Sequence, residues 1–176
     1  MIPYGKQTLS KEDEIAVLEV LQENQFLTTG PRVAQFEQAV CNYVRLDSDK
    51  VMESEKETLA IRGLQGVAVN SGTAALHAMV HAIQLKAGDQ VIVPAISFVA
   101  TANCILYEGA TPVFCDVEES TLNIDPEKVE VLINDRTRAI IAVDFAGQLA
   151  NYSELRKICQ KYGDRKSTRL NSSHIP

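Results

Sequence analysis

The sequence predicts an α/β fold: a mostly parallel sheet flanked by helices. Three observations carry this. After residue 67, short apolar runs alternate with helix-like segments: Val91-Ile92-Val93, Pro112-Val113-Phe114, then Ala139 to Phe145. The runs are apolar at consecutive positions, as in strands buried on both faces. Turn signals fall between them, at Gly88-Asp89, Gly109 and Asp125-Pro126.

Residues 1–45 read as an arm and two helices. Ser10 before Lys11-Glu12-Asp13 is a good N-cap with acidic first-turn residues. Ile15, Leu18, Val20 and Leu21 supply the apolar stripe. Thr28-Thr29-Gly30-Pro31 breaks the chain, and a second helix is expected from about Arg32 to Tyr43. Residues 46–66, LDSDKVMESEKETLAIRGLQG, are charged and weakly patterned, which suits a surface insertion.

The α/β domain proper is expected over residues 67–163. Val67-Ala68-Val69 reads as a strand and residues 73–86 as a helix. The next strand is at 91–93, a helix follows from Ala100 to Tyr107, and another strand is at 112–114. Asp125 caps a helix with Pro126 at its first position. The strand from Ala139 follows, then a helix over 151–162 with Leu155, Ile158 and Cys159 inward. Residues 164–176, within DRKSTRLNSSHIP, lack periodicity and resemble translated adapter or vector sequence. They are expected to lie outside the fold as a non-native tail.

Composition narrows the function. The chain of 176 residues is 45% hydrophobic and 23% charged, an ordinary soluble balance. Its net charge of −6 and lack of a basic stripe argue against nucleic acid as a partner. No apolar run approaches the roughly 20 residues that span a bilayer, and the first residues carry no secretory pattern. The four cysteines form no CxxC pair and no zinc spacing, which fits free thiols in a reducing cytosol. A cytoplasmic location follows, with no membrane partner and no metal.

Four stretches carry candidate chemistry. Asn70-Ser71-Gly72-Thr73 lies where a strand meets a helix. With Ser71 as N-cap, the N–H groups of Thr73 and Ala74 have no partner inside the helix. A capping box would place Glu or Gln at position 74, yet the residue is Ala. The turn is therefore either a plain cap or an anion cradle. His77 and His81 have metal-pair spacing but no Glu between them and no evident third ligand, so they read as partly exposed structural residues. Phe98 is expected just past a strand's carboxyl end, as a core residue or a cover for a planar ring. Asp144, in VDFAGQ, either orients a loop or touches a ligand.

Taken in order, NSGTAAL, GDQVIVPAISFVATAN, GATPVFCDV, NIDPEKVE and RTRAIIAVDFAGQ resemble the DegT/DnrJ/EryC1/StrS family of pyridoxal-phosphate enzymes acting on sugar nucleotides. The resemblance implies the N-terminal part of a type I aminotransferase large domain, incomplete in this chain. It implies pyridoxal 5′-phosphate as cofactor, L-glutamate and a 4-keto UDP-sugar as substrates, and a homodimer for the intact protein. Thr73 and Ala74 match the family's cofactor-phosphate contacts, with Ser71 and Gly72 shaping the turn, and Phe98 matches the aromatic that stacks on the pyridine ring. Tyr4, Asn24, Gln25 and Thr28 match segments that touch the sugar nucleotide. The family's lysine that joins the cofactor, and the acid that pairs with its ring nitrogen, lie after the segment matching residue 163. No catalytic residue is therefore assigned, and the chain is expected to be a fragment unable to turn over alone. Two alternatives stay open: a dehydratase of the same family, and a non-catalytic α/β binding module.

Overall fold

A computed structural model describes residues 8–23, 26–46, 65–162 and 167–170. The chain divides into two units, 1–69 and 70–176. Helix α1 (Lys11–Glu23) and helix α2 (Pro31–Leu46) dominate the first. The start of α1 is fixed reciprocally. Ser10 Oγ accepts from the Asp13 N–H at 3.3 Å, and the Ser10 N–H donates to Asp13 Oδ2 at 2.7 Å. Helix α2 begins at Pro31, where a missing N–H costs nothing. Arg32 bonds Glu19 at 3.0 Å and ties the two helices together.

Val67-Ala68-Val69 is not the expected strand. A strand needs a neighbour to complete its ladder, and none pairs with these residues among those described. The Ala68 N–H instead donates to Glu37 Oε1 at 2.8 Å, and Val67 stays exposed. The insertion expected over 46–66 falls mostly on 47–64, outside the described residues.

The second unit alternates helices and strands as expected. Helix α3 (Gly72–Ala82) leads to β1 (Gln90–Pro94), α4 (Ala100–Tyr107) to β2 (Thr111–Cys115), and α5 (Pro126–Leu132) to β3 (Thr137–Val143). A 3₁₀ turn (Phe145–Gly147), helix α6 (Tyr152–Lys161) and β4 (Ser167–Leu170) follow. The sheet order is β2-β1-β3-β4, and every pairing is parallel.

The strands' consecutive apolar residues serve both faces. Val91, Val93, Ala139 and Ile141 pack with Leu76 and Val80 of α3 and with Cys104 and Ile105 of α4. Ile92, Ile140 and Ala142 pack the other way, against Val129 of α5 and Leu155, Ile158 and Cys159 of α6. This explains the unbroken apolar runs of β1 and β3, whereas β2, at the sheet edge, is only partly covered and leaves Phe114 exposed.

Three boundaries differ from expectation. Helix α3 stops at Ala82 rather than 86, because Gln84 turns left-handed at φ 59° and Leu85 folds back into the core. Strand β3 ends at Val143, so Asp144 opens the following turn. Within the tail expected to lie outside the fold, residues 167–170 pair with β3. The open side of β3 presents backbone groups that accept any short extended segment.

Candidate functional site

Parallel strands bring their carboxyl ends to one side, so loops 95–99, 116–124 and 144–150 gather there. Helix α3 packs on the sheet and joins the start of β1 through residues 83–89. Its N-terminus therefore lies at that same end.

Ser71 is extended, at φ −161° and ψ 157°, and its carbonyl accepts from the Ala75 N–H at 3.1 Å. Its hydroxyl bonds Asn70 Oδ1 at 3.2 Å and accepts from the Ala74 N–H at 3.2 Å. The Ala74 donor, expected to be unengaged, is thus taken by the cap. The N–H groups of Gly72 and Thr73 have no hydrogen-bond partner among the described residues. No acidic residue stands in the first turn. Two amides, the Thr73 hydroxyl and the positive helix end suit an anion such as a phosphate monoester.

Phe98 follows β1 as expected and is 55% exposed. Its carbonyl accepts from the Thr101 N–H at 2.9 Å, and Ser97 Oγ bonds Thr101 Oγ1 at 2.6 Å. The backbone under the ring is therefore fixed while the ring stays open to a ligand.

Asp144 orients a loop. Its Oδ1 accepts from the Ala150 N–H at 3.0 Å and from the Tyr152 hydroxyl at 2.7 Å. Its Oδ2 is buried and has no hydrogen-bond partner among the described residues. Asn123, also buried, holds the same loop from the other side, a role the sequence did not disclose. It accepts from the Phe145 N–H at 2.9 Å and donates to the Gln148 carbonyl at 3.0 Å.

The two histidines find a shared partner distant in sequence. His77 Nε2 lies 2.8 Å from Glu108 Oε1, and His81 Nδ1 lies 3.1 Å from Oε2. These contacts, His81 foremost, hold the Glu108 carboxyl below its ordinary range. Glu108 links α3 to the end of α4, and no metal-holding group of three occurs among the described residues.

A cleft of about 500 Å³ opens on the α5 and α6 face. Glu118, Asp125, Glu127, Glu130 and Glu154 line it, the wrong charge for a phosphate. Thr28 belongs to the first unit, exposed between α1 and α2, while Tyr4, Asn24 and Gln25 lie outside the described residues. The four cysteines are buried and form no disulfide among the described residues, and no described helix is long and apolar enough to cross a membrane.

Comparison with known proteins bears on the family and the fold. Residues 7–163 match the DegT/DnrJ/EryC1/StrS aminotransferase family. The chain is 39% identical over 163 residues to the spore coat polysaccharide biosynthesis protein SpsC of Bacillus subtilis, covering 92% of this chain and 37% of that protein. An aminotransferase from Psychrobacter cryohalolentis superimposes with a TM-score of 0.78 at 28% identity, covering 95% of this chain and 38% of that one. The GDP-4-keto-6-deoxy-D-mannose-3-dehydratase of E. coli, with bound hydrated pyridoxal phosphate, gives 0.75 at 28%, covering 96% and 40%. The chain thus spans well under half the length of these relatives.

Proposed function

The chain belongs to the DegT/DnrJ/EryC1/StrS aminotransferase family, and from that premise we propose a pyridoxal-phosphate-dependent sugar aminotransferase. In this reading the whole protein moves an amino group from L-glutamate to a 4-keto UDP-sugar, in the cytoplasm and as a homodimer. The product feeds surface-glycan synthesis, in keeping with the name of the SpsC relative. The motifs around Tyr4, ISFVATAN and VDFAG resemble those of the transaminase that makes UDP-4-amino-4,6-dideoxy-N-acetyl-β-L-altrosamine, the pseudaminic acid precursor. A UDP-linked 4-keto-6-deoxy N-acetyl sugar is the substrate this favours.

One observation carries the reading. The first turn of α3 offers unengaged amides, no acid and a positive helix end, at the end of the sheet where Phe98 stands. Pyridoxal phosphate, when bound, supplies an electron sink for the amino transfer. Gly72 and Thr73 hold its phosphate, Ser71 shapes the turn, and Phe98 covers the ring. Asn24, Gln25, Thr28 and Tyr4 are assigned to the sugar nucleotide on the resemblance alone. The lysine and the acid that complete the reaction are assigned, on the same ground, to sequence after residue 163.

The dehydratase reading stays second, favoured by the E. coli neighbour at the same identity. Mass spectrometry of the products separates the two. The whole enzyme, given glutamate and a 4-keto UDP-sugar, yields an amino sugar under the proposal. A product that has lost a ring hydroxyl, with glutamate unconsumed or no amine on the sugar, overturns it.

A further inference from the structure

We propose that Asn123 and Asp144 are positioning residues that clamp loop 145–149 into a preformed wall of the cofactor's ring site, beside Phe98. This deepens the cofactor reading above and rests on it.

The loop is held at both ends by buried polar side chains, 2% and 3% exposed. Asn123 takes the Phe145 N–H and the Gln148 carbonyl, so one side chain fixes both limbs of the turn. Asp144 takes the Ala150 N–H and the Tyr152 hydroxyl, so the loop's far end is tied to α6. Between these ties Ala146 sits left-handed at φ 53° and Gly147 at φ 80°. A left-handed alanine is costly and persists only where its surroundings over-determine it.

The clamp is itself expensive. Asp144 keeps one buried oxygen without a partner among the described residues, and a buried acceptor left so costs stability. A solvent-facing loop gains nothing from such rigidity. A ligand-facing loop gains affinity, because its ordering is complete before binding. The loop's place supplies that ligand. It follows β3, the direct neighbour of β1, and the β1 loop carries Phe98. Ala146, Gly147, Gln148 and Leu149 are exposed there. The cradle at Gly72 and Thr73 meets a phosphate, so this wall meets the ring at the other end of the same molecule.

The test uses the whole enzyme and two probes. Pyridoxamine 5′-phosphate has no aldehyde to react with surface lysines, and inorganic phosphate reads the cradle alone. Asn123→Ala should weaken pyridoxamine phosphate by about tenfold, the loss of roughly one hydrogen bond's worth of order. Tyr152→Phe, a milder change that keeps the ring, should weaken it by about threefold. Both should leave phosphate binding within about twofold, because the cradle lies on another element. Amide hydrogen exchange without ligand should speed up at Phe145 and Gln148 in Asn123→Ala. Gln148→Ala, an exposed change, should weaken pyridoxamine phosphate with no change in melting temperature. Equal binding of pyridoxamine phosphate by wild type and all three variants overturns the wall. Unchanged exchange at 145–148 overturns the clamp. A wild-type enzyme that binds neither probe overturns the cofactor reading instead, which the first two outcomes leave standing.

Discussion

Ala74→Glu separates a helix cap from a phosphate site, because the two roles respond with opposite sign. Ala74 is the third helical residue after Ser71, and its N–H already donates to Ser71 Oγ. Glutamate there completes a capping box by reaching the Ser71 N–H, and its charge favours the positive end of α3. The ligand-free chain should gain about 0.5–1 kcal/mol, read as a higher urea midpoint. The same carboxylate stands about 5 Å from a phosphate held by Gly72 and Thr73. Against a charge near −2, the repulsion is about 2 kcal/mol even at the dielectric of water. Affinity for pyridoxamine phosphate should therefore fall by more than about tenfold. Ala74→Gln keeps the capping geometry without the charge and should lose less than about threefold. Fluorescence titration supplies the affinities. If Ala74→Glu binds as tightly as wild type, the phosphate does not sit on this turn. If the variant loses stability without ligand, the capped start of α3 is wrong.

Three further outcomes follow from the packing and the charges. Ile141→Ala, at a fully buried site between α3, α4 and the sheet, should cost about 2–5 kcal/mol in urea unfolding. Lys161 Nζ lies 2.6 Å from Glu130 Oε1, and that bond, then the Tyr162 hydroxyl, holds the Glu130 carboxyl below its ordinary value. The lowered pKa gives stability that is present above the ordinary carboxylate range and lost as pH falls through the lowered value of the folded state. The stability gap between wild type and Lys161→Met should thus hold near neutrality and close on acidification in pH-dependent urea melts. Burial, then the charge of Asp125, pushes the Cys115 thiol up to about 11. Iodoacetamide at pH 8 should leave Cys115 unmodified in the folded chain and alkylate it in urea, as peptide mapping would show.

What was legible in the sequence came from strong local rules. Strands β1 and β3 were visible because burial on both faces leaves consecutive apolar residues, whereas edge strand β2 was visible from its β-type residues between turn signals, although Phe114 is exposed. Helix α5 was visible because Asp125-Pro126 spells a cap and a first turn. Asp125 does accept from the Glu127 N–H at 3.0 Å. Phe98 was placed correctly because it follows a clearly marked strand. Val67-Ala68-Val69 misled, since β propensity counts only where a partner strand exists. Gln84 gave no warning that it would turn left-handed, because burying Leu85 decides that turn. The shared carboxylate of His77 and His81 was hidden by separations of 31 and 27 residues. Asn123 looks like any turn residue, and only the fold shows its amide spanning two limbs of another loop. The engagement of Ala74 by Ser71 is a rotamer choice that composition does not reveal.

Backbone amide NMR of the ¹⁵N-labelled chain during titration with pyridoxamine 5′-phosphate tests the central claim most directly. The phosphate turn predicts saturable shifts largest at Gly72 and Thr73, reproduced there by inorganic phosphate. Shifts at Phe145 and Gln148 should appear with pyridoxamine phosphate alone. A titration that saturates while Gly72 and Thr73 stay unmoved contradicts the claim that this turn anchors the cofactor.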